Sequence, residues 1–263
     1  MKVKLIASTN EPIDVMRLAA RTCYSEKSPI ELWDKRYNEK VLNHDVLGVL
    51  YKHELQEVKW QLVKKVLDSG HLSIAEHINF TFAIEGISRA CSHQLVRHRL
   101  CTFSQQSQRY VEIKENLTEI KELYLQTCSS NAATREKAMT KATEIVDKYF
   151  IRDNDKIGAI KYYLHLMDYL QAMDDGCKPE EARMLLPNAT KTNIVITTNL
   201  RNLIHMAELR LCFRAQKEIR ELFDLMKKEI PDQRISDLLQ KQCDRLGYCP
   251  EGAKTCGYKP ILN

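Results

Sequence analysis

Glycine is scarce in this sequence: 8 of the 263 residues are glycine, about 3% against a usual ~7%. So few glycines favour helices and leave little flexible backbone to surround a phosphate. Neither the G-x-G-x-x-G fingerprint of dinucleotide-binding folds nor the G-x-x-x-x-G-K-[ST] phosphate loop occurs. A phosphate bound by this chain must therefore be held by side chains.

Long apolar runs are also missing, because no stretch approaches the roughly 18 residues that a membrane helix needs. With 44% hydrophobic and 29% charged residues, the composition predicts a soluble, globular protein. The N-terminal segment combines a very short apolar run with acidic residues, unlike a signal or transit peptide. Nine cysteines, an odd number, indicate reduced thiols. We therefore expect a cytoplasmic protein that makes no contact with a membrane.

The net charge of +5 is a small excess, which suits an anionic ligand better than a nucleic acid. The length predicts one large domain over residues 1–263, with two domains as the alternative. A cysteine-containing tail at about 237–263 is expected to be irregular. The spacing of Cys243, Cys249 and Cys256 fits no standard zinc pattern, so we predict no metal site.

Three segments have the pattern of strands, at residues 3–8, 78–84 and 192–199. In the second segment apolar and less apolar residues alternate, and we expect Gly86 to end the strand. Residues 24–45 and 101–109 are expected to be irregular. Helical patterns begin at Ile13 and, after the irregular residues 24–45, continue to about Leu67. Further helices are predicted over 87–100, over 131–175 as two helices with a break near 152–155, from Pro179 to before Pro187, and from Leu200 to about Lys228. Strands among long helices predict an α+β fold, with a small sheet flanked by helices.

A basic motif, Arg97-His98-Arg99, ends the predicted helix over 87–100, and Ser107 and Arg109 follow in the next segment. On a helix, Arg97 and Arg99 would be about 200° apart, so the motif could bind two different anions. The alternative is that these charges only complement the helix dipole at its C-terminal end.

The predicted helix from Leu200 is apolar on most sides over its first turns, which is typical of a buried helix. It nevertheless contains Arg201, Arg210 and Arg214, and a buried guanidinium needs a carboxylate or an anionic ligand. An internal ion pair, such as Arg201 with Glu208, is the alternative, although one glutamate cannot serve three arginines.

These segments together resemble the flavin-dependent thymidylate synthases. The motif Arg97-His98-Arg99, followed after seven residues by Ser107-Gln108-Arg109-Tyr110, is similar to the signature of that family. The resemblance covers roughly residues 70–112 and 180–225. Three further segments resemble the family: Gly70-His71 through Glu76-His77 with Phe80-Thr81-Phe82, Arg183 before Leu186-Pro187, and Asn199-Leu200-Arg201 continuing to Leu209-Arg210 and Ala215-Gln216.

The resemblance implies an enzyme that methylates dUMP to dTMP, taking carbon from methylenetetrahydrofolate and reducing equivalents from NADPH through FAD. It implies a small, mainly antiparallel sheet and a homotetramer with active sites between subunits. It assigns flavin contacts to His71, Ser73, Arg97, His98, Arg99, Gln105, Asn199, Arg201 and His205. It assigns dUMP contacts to Gln94, Arg97, Arg183 and Arg210, and to a neighbouring subunit's loop of Gln105, Gln106, Ser107, Gln108 and Arg109.

Arg210 is the expected catalytic residue. The resemblance implies that its cation stabilises negative charge on the uracil ring without a covalent enzyme adduct. His205 stands where some members carry asparagine, and Gln105 where some carry glutamate. Both substitutions keep the capacity for hydrogen bonding.

Two other functions are compatible with the residues. A thymidylate synthase could use Cys91 or Cys101 as a nucleophile, since a thiolate needs a cationic setting and both flank the basic motif. A non-enzymatic RNA- or nucleotide-binding protein could use the same motif for phosphates. The second hypothesis fits less well, because the basic residues from Arg201 to Arg214 are embedded among apolar ones.

Overall fold

A computed structural model describes residues 1–40, 46–152, 158–258 and 260 of the chain. Its described strands form one four-stranded antiparallel sheet in the order β1-β2-β4-β3. The strands are β1 (Lys2–Ser8), β2 (Asn79–Ser88), β3 (Cys101–Gln105) and β4 (Lys191–Asn199). The α+β fold and the mainly antiparallel sheet are therefore confirmed.

The sheet is built on the two strands with the clearest alternation. Phe80, Phe82 and Ile84 of β2 are buried, and their neighbours along the strand are more exposed. β4 pairs with β2 along most of its length, with Phe82 opposite Ile196. Period-two patterning therefore places one face of the sheet against the core.

Helices surround the sheet. They are α1 (Pro12–Thr22), α2 (Pro29–Lys40), α3 (Val46–Asp68), α4 (Arg89–Leu95), α5 (Leu117–Thr127), α6 (Ala132–Tyr149), α7 (Ala159–Asp174), α8 (Pro179–Ala182), α9 (Leu200–Arg210), α10 (Lys217–Lys228), α11 (Gln233–Asp237) and α12 (Gln242–Leu246). Several start at a side-chain cap, such as Ser88 before α4 and Asn199 before α9. Within the described ranges, no helix combines the length and the apolar character needed to cross a bilayer.

Two groups of buried apolar residues stabilise the chain. One lies around the sheet and includes Phe82, Ile196 and Leu203. The other lies among α5, α6 and α7 and includes Tyr163 and Leu166. The single domain over residues 1–263 stays a prediction.

The strand and loop predictions need three corrections. Gly86 does not end β2: it takes a left-handed φ of 68° in a register shift between Ile84 and Ile87, after which the strand continues. The segment 101–109 is not wholly a loop, because β3 pairs with β4 at the edge of the sheet. Residues 24–45 are not wholly irregular, since α2 starts at Pro29, whereas residues 41–45 lie outside the described residues.

The predicted helix over 87–100 is too long. Residues 87 and 88 belong to β2 and α4 ends at Leu95, after which Arg97 and His98 donate backbone hydrogen bonds three residues back. The chain must turn there to enter β3. The angular argument for Arg97 and Arg99 therefore does not apply.

The predicted helix from Leu200 to Lys228 is interrupted. α9 ends at Arg210 and α10 begins at Lys217, and Arg220 donates to the carbonyls of Phe213 and Ala215 in the turn between them. The apolar stripe continues through the turn, so periodicity alone missed the break. In the middle of the chain, α6 and α7 confirm two helices within 131–175, although residues 153–155 of the predicted break lie outside the described residues.

The C-terminal tail is not wholly irregular. It contains α12 and a short 3-10 segment, Gly252–Lys254. Four cysteines help to line a cavity of about 380 Å³ beside α9: Cys212, Cys243, Cys249 and Cys256. Among the residues that the structure describes, no three His, Cys, Asp or Glu side chains are grouped to hold a metal ion.

Candidate active site

Two of the signature segments meet where α9 ends, the basic motif around His98 and the segment from Asn199 to Gln216. Arg210, the last residue of α9, donates from Nε to His98 Nε2 at 2.9 Å, and its Nη2 lies 3.4 Å from the carbonyl oxygen of Gln94. The Gln94 amide in turn donates to the side-chain oxygen of Gln216, just before α10. Folding therefore joins Gln94 and His98 to Arg210, which is 116 and 112 residues away from them in sequence.

The partners of Arg210 are uncharged. Burial, with smaller contributions from Arg210 and His205, lowers the pKa of His98 to about 4, so its imidazole is neutral at pH 7 and accepts from the guanidinium. Burial also lowers the pKa of Arg210, although an arginine stays protonated at neutral pH. The structure thus holds a half-buried cation without neutralising it.

The lowered pKa of His98 predicts acid sensitivity. Unfolded histidine takes up its proton near pH 6.5, whereas folded His98 does so only near pH 4. The stability that neutral His98 contributes is therefore fully present above pH 6.5 and is lost as the pH falls toward 4. We expect His98→Gln to lose less unfolding free energy than the wild type between pH 7 and pH 4.5, as measured by denaturant titration.

The matched control is His165→Gln, because His165 is exposed on α7. This variant should show the wild-type loss of unfolding free energy. Equal losses in all three proteins would mean that His98 does not contribute to the acid sensitivity.

Near the signature segments, a cavity of about 840 Å³ lies beside the N-terminal half of α9. Asn199, Arg201 and His205 line it, and Leu72, Ile204 and Leu100 are among its apolar wall residues. Its volume is typical of a site for a cofactor. The exposed His71 and Ser73 lie in or next to the 3-10 segment Leu72–His77, two of whose residues line the cavity.

The charged residues of α9 and of the turn after it form ion pairs with other segments of the chain. Arg201 pairs with Glu76, Glu208 with Arg245, and Arg214 with Glu251 at 2.7 Å. The suggested pair of Arg201 with Glu208 is therefore wrong, and Arg201 and Arg214 are exposed rather than buried. Arg97 and Arg99 also face solvent, on either side of buried His98.

The segment Gln105 to Arg109 lies at the other end of α4. Gln105 ends β3, and its amide donates to the hydroxyls of Ser92 at 2.9 Å and Thr192 at 3.2 Å. Arg109 pairs with Glu180 at 2.9 Å. Gln106, Ser107 and Gln108 line a cavity of about 250 Å³, and Gln108 also lines a second one, of about 290 Å³, with Arg183. The structure therefore groups Arg183 with this segment, apart from Arg210.

Sequence reasoning missed Glu218, a buried carboxylate in the first turn of α10. Its two oxygens accept from the backbone N–H and the hydroxyl of Ser88, at 2.7 and 2.5 Å, and Ser88 caps α4. Glu218 thus fixes the helix that carries Gln94. In the sequence, Glu218 stands out only by its position two residues after Gln216, and that position does not indicate its partner Ser88.

The cysteines beside the motif lack the setting of a nucleophile. Cys91 is fully buried, and burial, reinforced by Glu218, raises its pKa to about 12. Burial also raises the pKa of Cys101. Both thiols are therefore protonated at neutral pH, which disfavours a role as nucleophile.

Residues 4–233 match the family model described as "Thymidylate synthase complementing protein". The chain is 36% identical to the flavin-dependent thymidylate synthase of Nitratidesulfovibrio vulgaris, over 99% of this chain and 96% of that protein. It is 36% identical to the enzyme of the same name from Geobacter sulfurreducens, over 98% and 94% of the two chains.

A solved structure has the same fold. It is a flavin-dependent thymidylate synthase from Helicobacter pylori complexed with FAD and dUMP, and it is 24% identical with a TM-score of 0.62, covering 91% of this chain and 98% of that one. These matches confirm the resemblance of the signature segments and set aside a non-enzymatic binding protein. The chain belongs to the family of the flavin-dependent thymidylate synthases.

Proposed function

We propose that this protein methylates dUMP to dTMP, with methylenetetrahydrofolate as the carbon donor and FAD reduced by NADPH, and without a covalent enzyme nucleophile. The contact between Arg210 and neutral His98 carries the proposal. A guanidinium held by an imidazole and a backbone carbonyl keeps its whole positive charge for a ligand. Negative charge that develops on the uracil ring would be stabilised by this charge, because a fixed cation in a partly desolvated site needs no reorganisation.

The cavity of about 840 Å³ beside the N-terminal half of α9 fits a flavin cofactor. It joins an apolar wall to the hydrogen-bonding side chains of Asn199, Arg201 and His205, which suits a ligand that has rings and phosphates. Gly70 and Leu72, on either side of His71, also line it. When bound and reduced by NADPH, the flavin would supply the reducing equivalents for the methyl group. The protein's own part is to bind and orient the two ligands.

The residues proposed for dUMP form two separate halves in one chain. Gln94 and Arg210 form the first half, whereas Arg183 and the segment Gln105 to Arg109 form the second. Arg89, which contacts the second half through Gln106, and Gln94 are five residues apart on α4, which places them about 140° apart around the helix axis. A homotetramer with sites between subunits would bring halves from different chains together.

The site residues and the cytoplasmic location belong to the proposal. Arg97, His98 and Arg99 would contact FAD, together with Ser73 and Gln105. All nine cysteines are unpaired, which agrees with a compartment where thiols stay reduced.

The first test is the visible spectrum of the purified protein, followed by addition of dUMP. We expect a bound oxidised flavin whose bands shift with dUMP, because both ligands would share one site. Formation of dTMP from dUMP, methylenetetrahydrofolate and NADPH would complete the assignment. A colourless protein that takes up no FAD and does not respond to dUMP would overturn the proposal.

A second prediction separates this chemistry from cysteine catalysis. Cys91→Ala and Cys101→Ala should both keep dTMP formation within about tenfold of wild type, because a protonated thiol contributes packing rather than nucleophilic attack. Initial rates at saturating dUMP measure this. A loss of more than about a thousandfold in either variant, with FAD still bound, would favour a covalent mechanism.

A further inference from the structure

Glu218 joins the start of α10 to the start of α4. Its buried carboxylate accepts from the backbone N–H of Ser88 at 2.7 Å and from the Ser88 hydroxyl at 2.5 Å. The Ser88 hydroxyl oxygen accepts in turn from the N–H of Cys91 at 3.0 Å, and this bond caps α4. One carboxylate therefore holds the junction at which β2 ends and α4 begins.

The start of α10 also contacts the other end of α4. Gln216, the residue before α10, accepts a hydrogen bond from the side-chain amide of Gln94. Ser88 and Gln94 lie at opposite ends of α4, about 9 Å apart along the helix axis. Two contacts at different heights fix both the position of α4 and its direction relative to α10.

The segment that starts with α4 supports Arg210. The carbonyl oxygen of Gln94 lies 3.4 Å from Arg210 Nη2, and His98, shortly after the end of α4, accepts from Arg210 Nε at 2.9 Å. Arg210 itself belongs to α9. A shift of α4 relative to α10 would therefore move both of these partners relative to the guanidinium.

We propose that Glu218 is a positioning residue for dTMP formation, which acts through Ser88 and α4 on the geometry of the Arg210 cation. The inference rests on the proposed function, in which Arg210 stabilises negative charge on the uracil ring. Such a cation must be held in place before the reaction, and a small displacement of a preorganised group is costly.

A carboxylate suits this position for two reasons. Its two oxygens accept from both donors of Ser88 at once, whereas the side chain of a glutamine offers only one oxygen. Glu218 also stands in the first turn of α10, where the helix dipole favours a negative charge. A glutamine of the same size loses both advantages.

The test is the rate of dTMP formation by Glu218→Gln, in which one donor of Ser88 loses its acceptor. We expect kcat per bound FAD to fall about 10- to 100-fold, because a displacement on the order of 1 Å can have an effect of this size. The KM for dUMP should change less, since the charge on the uracil ring develops after binding.

Tyr163→Phe is the matched control for a loss of stability. The buried Tyr163 hydroxyl donates to the carbonyl of Ile120 at 3.0 Å, among α5, α6 and α7. Its removal leaves a buried acceptor unpaired, so the free energy of unfolding should fall while kcat per bound FAD stays that of the wild type. An equal fall of kcat in both variants would mean that Glu218 acts through stability alone, and would overturn the proposal.

A double-variant cycle tests the path through Ser88. Ser88→Ala removes the hydroxyl that bonds to Glu218 and should itself lower kcat. Ser88→Ala combined with Glu218→Gln should lose far less than the product of the two single losses, because both changes break the same contact. Losses that multiply would show that the two residues act independently, which contradicts the proposed path.

Failure of this inference and failure of the proposed function give different results. A wild-type protein that forms no dTMP would contradict the proposed function. A wild-type protein that forms dTMP, at a kcat that Glu218→Gln matches, would contradict only the role of Glu218. Ser88→Ala measures the same path if Glu218→Gln does not fold, and a wild-type kcat in Ser88→Ala would then overturn the inference.

Discussion

Replacing Arg210 with glutamine should lower the kcat for dTMP formation about 10²- to 10³-fold, the range seen when one preorganised donor to developing charge is removed. Glutamine can still hydrogen bond, but it carries no charge. The loss should appear in kcat more than in the KM for dUMP, because the charge on the uracil ring develops during the reaction. Steady-state rates at saturating cosubstrates measure the effect.

Arg214→Gln is the control for this prediction. It lies four residues beyond Arg210, and its exposed guanidinium pairs with Glu251. We expect it to keep nearly full activity, as is usual for an exposed ion pair. FAD content should be normal in both variants, since neither arginine lines the cavity of about 840 Å³ beside the N-terminal half of α9. An Arg210→Gln enzyme with normal kcat would remove Arg210 from catalysis.

The sequence predicted those parts of the fold that rest on local periodicity. β2 was predicted because Phe80 and Phe82 alternate with less buried residues, and β4 because its sequence is rich in β-branched residues such as Ile194 and Ile196. β3 was missed because it is an edge strand that pairs with β4, and its residues Thr102 and Ser104 are exposed. Such a strand is specified by its partner, and a single sequence does not contain that partner's position.

The turn between α9 and α10 was missed for a different reason, because the apolar periodicity continues across it. Leu211 and Ile219 continue the apolar stripe of α9 into α10, so the pattern indicated one helix. The turn between them is fixed by the hydrogen bonds of Arg220 to two carbonyls, which no periodicity reveals.

For the site, motif order was more informative than burial arguments. The resemblance placed Gln94, His98 and Arg210 in one site, and the structure brings them into contact. The argument from buried arginines was wrong for Arg201 and Arg214, because Glu76 and Glu251 come from distant segments to pair with them at the surface. Ion pairs between distant segments depend on the folded chain, so a helix plotted alone cannot supply them.

Mixing two inactive variants should restore activity if the site is shared between subunits. Arg210→Gln damages the half with Gln94, and Arg183→Gln damages the half with Gln108, and each variant alone should be nearly inactive. In randomly mixed oligomers, about one quarter of the sites would combine an intact half from each chain. We therefore expect about a quarter of the wild-type kcat from equal co-expression, measured on the purified mixed enzyme.

The control for this experiment combines two variants of the same half, Arg210→Gln with Gln94→Ala. Every chain then has a damaged first half, so mixing should restore nothing, whatever the number of subunits. Recovery in the Arg210→Gln and Arg183→Gln mixture alone would place the two halves on different chains, consistent with their separation on opposite sides of α4. If neither mixture recovers while the chains are shown to have mixed, both halves must act within one subunit, and the shared site would be excluded.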